Sequence, residues 1–255
     1  MPNIVEARYH CAEEYFFAAI SPSHRRFNAC VNVYRDDEYR SVWNLLLVRV
    51  GSAPLGNAML ECEALMRRTK LPIRLVARQE HVEALGETLE MLGFIEIETS
   101  TAMVLDLAGI AASPHVAGDA EISWTHNLND WAGPMANAFG MPAEGAAHYQ
   151  ARHQMALDRG ARFYHFTLAE KGQPVSSLTL TLCDDLARLN DIGTDAAYRA
   201  KGYSTRLIHT ALAHATSLGA RWCFLEASTQ GLSLYHALGF RALFQYRSFV
   251  RGPLL

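Results

Sequence analysis

The sequence predicts an α/β fold with a mixed β-sheet flanked by helices, built as two similar halves. In the second half, segments rich in β-branched and aromatic residues alternate with segments of helical periodicity, as in proteins whose sheet is covered by helices. In the first half, part of the same order of elements recurs at a fixed distance along the chain. With 50% hydrophobic and 19% charged residues, the 255-residue chain has the composition of a globular protein.

Strand and helix signals alternate regularly along the second half. The predicted strands, separated by turn residues such as Lys171-Gly172-Gln173, cover residues 121–126, 162–170, 175–183, 186–194, 221–227 and 240–250. The predicted helices cover residues 128–139, 144–158, 202–218 and 230–238. The helix over 202–218 has the clearest apolar stripe, with spacings of three and four residues, and Gly219 ends it.

The first half repeats part of this plan. Gly56 precedes Gly202 by 146 residues, and the same offset relates Leu92-Gly93-Phe94 to Leu238-Gly239-Phe240. A helix, a strand and a helix are predicted between these landmarks, over residues 57–70, 73–77 and 81–92, after strands at 31–34 and 41–50 that flank Asp36-Asp37. A matched order of elements at a fixed offset favours duplication over a chance match of small residues.

A linker is predicted between the halves. Residues 108–120 read AGIAASPHVAGDA, and their small residues, glycines and single proline leave few side chains able to anchor a core. The sequence therefore predicts one domain over residues 1–107 and a second over residues 121–255.

The loop from Arg199 to Ser204 precedes the clearest helix and is a candidate anion site. Backbone N–H groups in the first turn of a helix have no intrahelical partner, and they lie at the positive end of the helix dipole. Gly202 and Ser204 keep side-chain bulk small there, while Arg199, Lys201 and Arg206 add positive charge. Taken alone, the loop also fits an ordinary strand-to-helix connection.

Two motifs in the second half resemble the GNAT acetyltransferase superfamily. The pattern Arg-x-x-Gly-x-Ser at 199–204 resembles the family's acyl-CoA pyrophosphate loop, and Leu234-Tyr235-His236-Ala237-Leu238-Gly239-Phe240 resembles its Leu-Tyr-x-x-Leu-Gly-Phe signature. The motifs stand in the family's order and at its separation, with a predicted strand ending at Ala227-Ser228 between them. The resemblance covers residues 120–251, so it implies a tandem GNAT-like fold that is complete in the C-terminal half and partial in the N-terminal half.

The resemblance implies roles for particular residues. Tyr235 is implied to be the general acid at the thioester sulfur. The implied cofactor-binding residues, which end a splayed strand or cradle the pyrophosphate, are Ile192, Gly193, Thr194, Arg199, Ala200, Lys201, Gly202, Tyr203, Ser204 and Thr205. Two positions depart from the family pattern. Ser204 replaces a usual Gly or Ala, where its hydroxyl could add a donor to phosphate. Ser228, which is also implied to bind the cofactor, replaces a common asparagine that touches it.

The sequence does not single out one residue as the general base. Asp191, on the strand before the loop, and Glu226, on the strand after the clearest helix, are the two candidates. Either carboxylate could accept an ammonium proton if its surroundings raised its pKa. Each also fits a solvated or ion-paired role, and deprotonation through a water chain would need no single base.

The first half lacks the residues that carry these roles. Ala53 stands where the second half has Arg199, and Leu89, which cannot donate a proton, stands 146 residues before Tyr235. We expect a degenerate, non-catalytic repeat that is retained for structure or for shaping the acceptor cleft, with CoA binding of its own as the open alternative.

Composition and motif spacing weigh against other classes. A formal charge of −3 gives no support to a nucleic-acid partner, and no apolar run approaches the length of a membrane span. Five scattered cysteines and an N-terminus without a signal peptide indicate a cytoplasmic setting. His148 and His153, like His209 and His214, are five residues apart rather than three or four, so we expect structural histidines and no metal.

The sequence therefore predicts a cytoplasmic N-acetyltransferase, a monomer or homodimer, that transfers an acetyl group from acetyl-CoA to a primary amine. A non-catalytic acyl-CoA-binding or interaction module is the alternative, and a dinucleotide-binding domain is disfavoured by the absence of a Gly-x-Gly-x-x-Gly motif. Trp124, Trp131, Phe139 and Tyr149 fit either core packing or the acceptor site. The acceptor itself stays open.

Overall fold

The structure, a computed structural model, describes residues 4–35, 45–51, 54–108, 120–125 and 127–252. Contacts divide the chain into two compact units. Unit 1 contains the described residues up to 103 together with 226–235 and those from 241 onwards, and unit 2 contains the described residues of 104–225 together with 236–240. The predicted domain boundaries stay a prediction, since most of the predicted linker lies outside the described residues.

The elements follow one another as alternating helices and strands. In chain order they are α1 (Ile4–Ala19), β1 (Ser23–Arg26), β2 (Val31–Arg35), β3 (Leu46–Val50), α2 (Gly56–Arg68), β4 (Ile73–Arg78), α3 (Val82–Met91) and β5 (Ile95–Asp106). The second part continues with β6 (Ala120–Thr125), α4 (Leu128–Phe139), α5 (Ala143–Asp158), β7 (Phe163–Glu170), β8 (Gln173–Cys183), β9 (Leu186–Thr194), α6 (Tyr203–Ser217), β10 (Trp222–Ser228), α7 (Leu232–Ala237) and β11 (Arg241–Arg251).

In unit 1, the strands form a mixed sheet in the order β1-β2-β3-β4-β11. Strands β3 and β4 are parallel, whereas β1, β2 and β11 run antiparallel to their neighbours. Apolar residues of β2, β3 and β4 pack against α2 and α3, and Leu46, Val48, Cys62, Met66 and Leu75 are all fully buried there. The C-terminal strand of the chain thus completes the sheet of the unit that holds the N-terminus.

In unit 2, the sheet runs in the order β10-β9-β8-β7-β6. Strands β6 to β9 form an antiparallel meander, and β10 joins β9 in parallel. Helix α4 contributes the buried residues Leu128, Trp131, Ala132 and Met135 to a cluster that Tyr149 of α5 adjoins. Helix α6 buries the predicted stripe through Leu207, Ile208, Ala211, Leu212 and Ala215.

Most predicted elements of the second half coincide with observed ones, and α4 and β9 match residue for residue. Three observed elements were not predicted: α1, β1 and the long strand β5. Helix α1 gives no clean stripe because Glu13 is buried among its apolar residues, next to Tyr9, Ala12 and Phe16. The predicted turn at Asp36-Asp37 lies outside the described residues. None of the described helices is long and apolar enough to cross a membrane.

Candidate functional site

Strands β9 and β10 part early, and the edge of β9 opens. They pair over only three residues, from Leu186 with Trp222 to Arg188 with Phe224. Strand β9 continues to Thr194, and on its other side it stays paired with β8 to that residue. Residues 189–194 therefore lie beyond the last pair with β10, and their backbone groups on that side can pair with an extended ligand.

A β-bulge interrupts β9 within this open stretch. Between the pairs Thr179–Asn190 and Ser177–Gly193, β8 advances by two residues and β9 by three, so β9 contains one extra residue. Asp191, inside the bulge, has a φ of +55°, which is uncommon for a residue other than glycine. Such strained backbone is concentrated at functional sites, and here it sets the direction of the Asp191 carboxylate.

Helix α4 crosses directly over the end of β9. A Cβ placed on Gly193 would lie 2.9 Å from the Cβ of Ala138 and 3.1 Å from the carbonyl oxygen of Pro134. Only glycine allows so close an approach without movement of the helix backbone. The predicted residues Ile192, Gly193 and Thr194 thus lie at the end of the open strand, beneath α4.

The loop from Arg199 to Gly202 leads into α6 through two left-handed residues, Ala200 with φ +61° and Gly202 with φ +75°. The first hydrogen bond of the helix runs from the Arg206 N–H to the Gly202 carbonyl. The N–H groups of residues 203–205 thus point out of the helix start, where they can bind an anion together with the positive end of the helix dipole.

The side chains of this loop are largely held by the protein itself. The Arg199 guanidinium donates to the Thr194 and Ala138 carbonyls, at 3.2 and 3.4 Å. The Lys201 ammonium lies 3.4 Å from the Glu170 carboxylate, which also accepts from the Tyr203 hydroxyl at 2.6 Å.

Ser204 shares a hydrogen bond of 2.7 Å with Thr194, so its hydroxyl ties the helix start to the end of β9. An anion at this loop would therefore be bound chiefly by backbone N–H groups.

Asp191 is enclosed by side chains of α5, β8 and β9. Its side chain is 11% exposed, and its Oδ1 accepts a 2.8 Å hydrogen bond from the Tyr149 hydroxyl. Burial raises the pKa of Asp191 to about 6, although the hydrogen bond from Tyr149, the Thr179 hydroxyl and the charges of Arg188 and Arg152 act in the opposite direction. A carboxylate with this pKa is ionised at neutral pH and still basic enough to accept a proton.

Glu226, the other candidate base, is held in a buried ion-pair network within unit 1. Its Oε2 lies 2.8 Å from the Arg49 guanidinium, and its Oε1 accepts a 2.5 Å hydrogen bond from the Ser100 hydroxyl. Arg49 also pairs with Glu13 at 2.6 Å. Both oxygens of Glu226 have strong partners, and protonation would disrupt the pair with Arg49. The geometry therefore favours Asp191 as the base.

Ser228 is the last residue of β10 and Tyr235 lies on α7, and both belong to unit 1. Tyr235 is 9% exposed, and burial raises the pKa of its phenol to about 12, so the hydroxyl keeps its proton at neutral pH. A Cβ on Gly231 would lie 3.0 Å from the ring, so a glycine is needed beside Tyr235. The Ser228 hydroxyl accepts from the Gly231 N–H at 3.3 Å, which supports the turn before α7.

In unit 1, the parallel strands β3 and β4 correspond to β9 and β10, but they do not part. All five residues of β3 pair with β4, from Leu46 with Ile73 to Val50 with Ala77. Gly56 begins α2 with φ +51°, as the offset predicts, and Asn28 donates to the Leu55 carbonyl beside it at 3.2 Å. The parallel strands of unit 1 therefore leave no open edge over β3. Ala53 lies outside the described residues.

Several residues beside the candidate site were not assigned from the sequence. Tyr149 was a candidate for either core or acceptor site, and it contacts Asp191. His153 and His165 lie behind Asp191, although no spacing in the sequence connects them with it. Trp131 is fully buried, whereas Phe139 is 60% and Trp124 is 47% exposed. Among the residues that the structure describes, no three His, Cys, Asp or Glu side chains form a group suited to a metal ion.

Comparison with known proteins identifies the domain to which this site belongs. Residues 126–240 match the model of the acetyltransferase (GNAT) family, a range that contains α4, the bulge, the loop before α6 and Tyr235. This part of the chain is therefore similar to a GNAT acetyltransferase domain. Members of the family are acyl-CoA-dependent N-acetyltransferases. No curated protein matches the chain in sequence.

Solved structures share the fold over most of the chain. A GCN5-related N-acetyltransferase from Kribbella flavida is 12% identical, with a TM-score of 0.60 over 98% of this chain and 96% of that one. A tandem GNAT protein from the clavulanic acid biosynthesis pathway is 14% identical, with a TM-score of 0.62 over 97% and 89%. A conserved protein of unknown function from Staphylococcus epidermidis ATCC 12228 is 14% identical, with a TM-score of 0.65 over 92% and 96%. The predicted tandem GNAT-like α/β fold is confirmed.

Proposed function

We propose that the GNAT domain transfers an acetyl group from acetyl-CoA to a primary amine of a small molecule or a peptide. The observation that carries this proposal is the early parting of β9 from β10, beside a helix start whose N–H groups point outward. An extended ligand with a phosphate group at one end fits this combination, because a strand edge and a helix N-terminus recognise those two chemistries.

The residues present fit acetyl-CoA, which supplies the acyl group as a thioester. The backbone of Ile192, Gly193 and Thr194 would pair with the pantetheine arm. The N–H groups of residues 202–205 would hold the pyrophosphate, and the left-handed Ala200 and Gly202 give the loop a concave backbone. Arg199 and Lys201 would add positive charge nearby while keeping their contacts to the protein. Ser228 is assigned to the turn before α7 rather than to the cofactor.

Asp191 is assigned as the general base and Tyr235 as the general acid. The Asp191 carboxylate would take a proton from the acceptor ammonium, so that the neutral amine can attack the thioester carbonyl. A backbone N–H of β9 would stabilise the negative charge that develops on the acyl oxygen. The Tyr235 hydroxyl would donate its proton to the departing thiolate, the role that the resemblance to the GNAT family implies for this tyrosine.

The N-terminal half, residues 1–107, is assigned no chemistry. Its strands β3 and β4 stay paired over the whole of β3, and Leu89, which occupies the position 146 residues before Tyr235, is buried in the core. We infer that this half is a degenerate repeat that serves the structure of the protein.

A thiol-release assay on the full chain tests the proposed function. The purified protein is incubated with acetyl-CoA and a broad panel of amines, amino acids, polyamines and peptides, and free CoA is measured against an enzyme-free control. At least one amine should give turnover that Asp191→Asn lowers at neutral pH. Tight CoA binding without turnover across the panel would favour the acyl-CoA-binding module, and absence of CoA binding would overturn both assignments.

A further inference from the structure

Two buried histidines form a pair behind Asp191. His153 on α5 and His165 on β7 are 0% and 1% exposed, and the Nδ1 of His153 lies 2.9 Å from the Nε2 of His165. Trp131 packs against both rings, with ring centroids 4.4 and 4.8 Å away. The two imidazoles are therefore held in a fixed arrangement shielded from water.

One proton lies between these two nitrogens. A separation of 2.9 Å requires one nitrogen to donate and the other to accept, so both cannot carry a hydrogen at this contact. Burial lowers the pKa of His153 well below its usual range, and the neighbouring His165 and Arg152 lower it further. His153 is therefore neutral and has a single N–H, on Nδ1 or on Nε2.

The second nitrogen of His153 faces the candidate base. Its Nε2 lies 3.6 Å from the Oδ2 of Asp191, on the opposite oxygen from the Tyr149 hydrogen bond. If the shared proton belongs to His165, then His153 carries its hydrogen on Nε2 and directs it at the carboxylate. If the shared proton belongs to His153, a bare Nε2 lone pair faces the carboxylate instead, which disfavours the ionised form.

We propose that His165 is a positioning residue that donates to His153 and thereby fixes the hydrogen of His153 on the nitrogen that faces Asp191. Fixed in this way, His153 presents the positive end of its Nε2–H to the Asp191 carboxylate across 3.6 Å, and it cannot accept a proton from the carboxylic acid. The pair thus favours the ionised form, which is the form that takes the ammonium proton. The proton stays on Asp191 after transfer, and neither imidazole becomes charged.

This inference rests on the proposed role of Asp191. The groups around the Asp191 carboxylate allow the effect of the histidine pair to be tested separately. The other titratable or charged groups that act on the carboxylate are Tyr149 and Arg152 of α5 and Arg188 of β9, and the Thr179 hydroxyl of β8 also lowers the pKa of Asp191. None of them forms the contact between His153 and His165. A change at residue 165 that alters the titration of Asp191 therefore reports on the histidine pair.

Two substitutions at one position separate positioning from packing. His165→Phe keeps an aromatic ring and removes the donor, whereas His165→Gln keeps an N–H donor. The phenylalanine variant frees His153 to accept a proton from protonated Asp191, so the pKa of Asp191 should rise by about half to one unit. The acid limb of the rate profile should move by the same amount, which lowers the relative rate at pH 6 about twofold to fivefold. The glutamine variant should raise the pKa of Asp191 less than the phenylalanine variant does.

Nitrogen-15 NMR of the imidazoles and carbon-13 NMR of the Asp191 carboxyl give the same answer without turnover. In the parent protein at neutral pH, His153 should carry its hydrogen on Nε2, and in His165→Phe this preference should weaken. A hydrogen on Nδ1 of His153 in the parent protein would overturn the proposal whether or not the variants fold. An unchanged Asp191 titration in a folded phenylalanine variant would overturn it as well. A protein without acyl transfer would refute the proposed function and leave these two measurements to decide the inference.

Discussion

Gly56 and Gly202 stand 146 residues apart, and each lies at the start of a helix in the left-handed region of the backbone, with φ of +51° and +75°. A Cβ on either residue would meet no other atom within 4 Å. Space around the two positions is thus equal, and what differs is the strand pair beside them, open in unit 2 and closed in unit 1. The two glycines form a matched pair for testing where CoA binds.

We predict that Gly202→Asp abolishes CoA binding, whereas Gly202→Asn weakens it less. Asp and Asn have the same shape and both tolerate left-handed backbone, so the difference between them isolates the repulsion between the carboxylate and the phosphates. Titration calorimetry with CoA measures the dissociation constants of the folded variants.

Gly56→Asp is the matched control for this prediction. It should leave CoA affinity and turnover within about twofold of the parent protein, provided that its free energy of unfolding is unchanged. Equal losses in Gly56→Asp and Gly202→Asp would contradict both the assignment of the loop and the assignment of the N-terminal half as a degenerate repeat.

Tyr235→Phe should lower turnover by about 10²- to 10⁴-fold while CoA affinity changes little. The substitution removes only the hydroxyl, so the packing of the buried ring should survive. Single-turnover kinetics, with chemistry rate-limiting, give the comparison. A phenylalanine variant as fast as its parent would make Tyr235 a packing residue.

Asp191→Asn should abolish the acid limb of the pH–rate profile near pH 6. It should also lower turnover at neutral pH by about 10²- to 10⁴-fold. Because the folded pKa is raised, the folded protein binds the Asp191 proton more tightly than the unfolded chain does. The contribution of Asp191 to stability is therefore greatest below about pH 4 and declines as the pH rises through 6. Urea unfolding at pH 4 and pH 8 should show this decline in the parent protein and not in the variant.

Glu226→Gln serves as the comparison for Asp191. Its effect should be on stability, through the loss of the ion pair with Arg49, and its acid limb should stay near that of the parent protein. If Glu226→Gln abolishes the limb and Asp191→Asn retains it, the assignment of the base is wrong.

Arg49→Met should destabilise the protein by about 3–5 kcal/mol, because it leaves Glu13 and Glu226 without their buried cation. Arg25→Met is the surface control: Arg25 and Glu61 form a pair whose side chains are more than 60% exposed, and its loss should cost at most about 1 kcal/mol. Urea denaturation measures both values. Similar losses in the two variants would show that the Arg49 network adds no more than a surface pair.

The sequence predicted what depends on local pattern. Strand β9 and helix α4 match their predicted bounds, because β-branched periodicity and an apolar stripe between clear stop residues are local signals. Helix α1 was missed because the cation that allows Glu13 to be buried lies 36 residues away on β3. The contacts of Asp191 with Tyr149 and His153 were beyond prediction for the same reason, since they depend on how α5 packs on the bulge of β9.

The pairing of β11 with β4 determines how long one edge of β4 stays unpaired while the protein is synthesised. Strand β4 leaves the ribosome about 160 residues before the strand that covers its free side, from Ile73 paired with Arg251 to Arg78 paired with Tyr246. At about 5–20 residues per second, that edge waits roughly 10 to 30 seconds for its partner. An uncovered strand edge is a template for pairing with other chains. The nascent chain therefore exposes this edge until β11 emerges, and a product that lacks β11 would carry the exposed edge permanently.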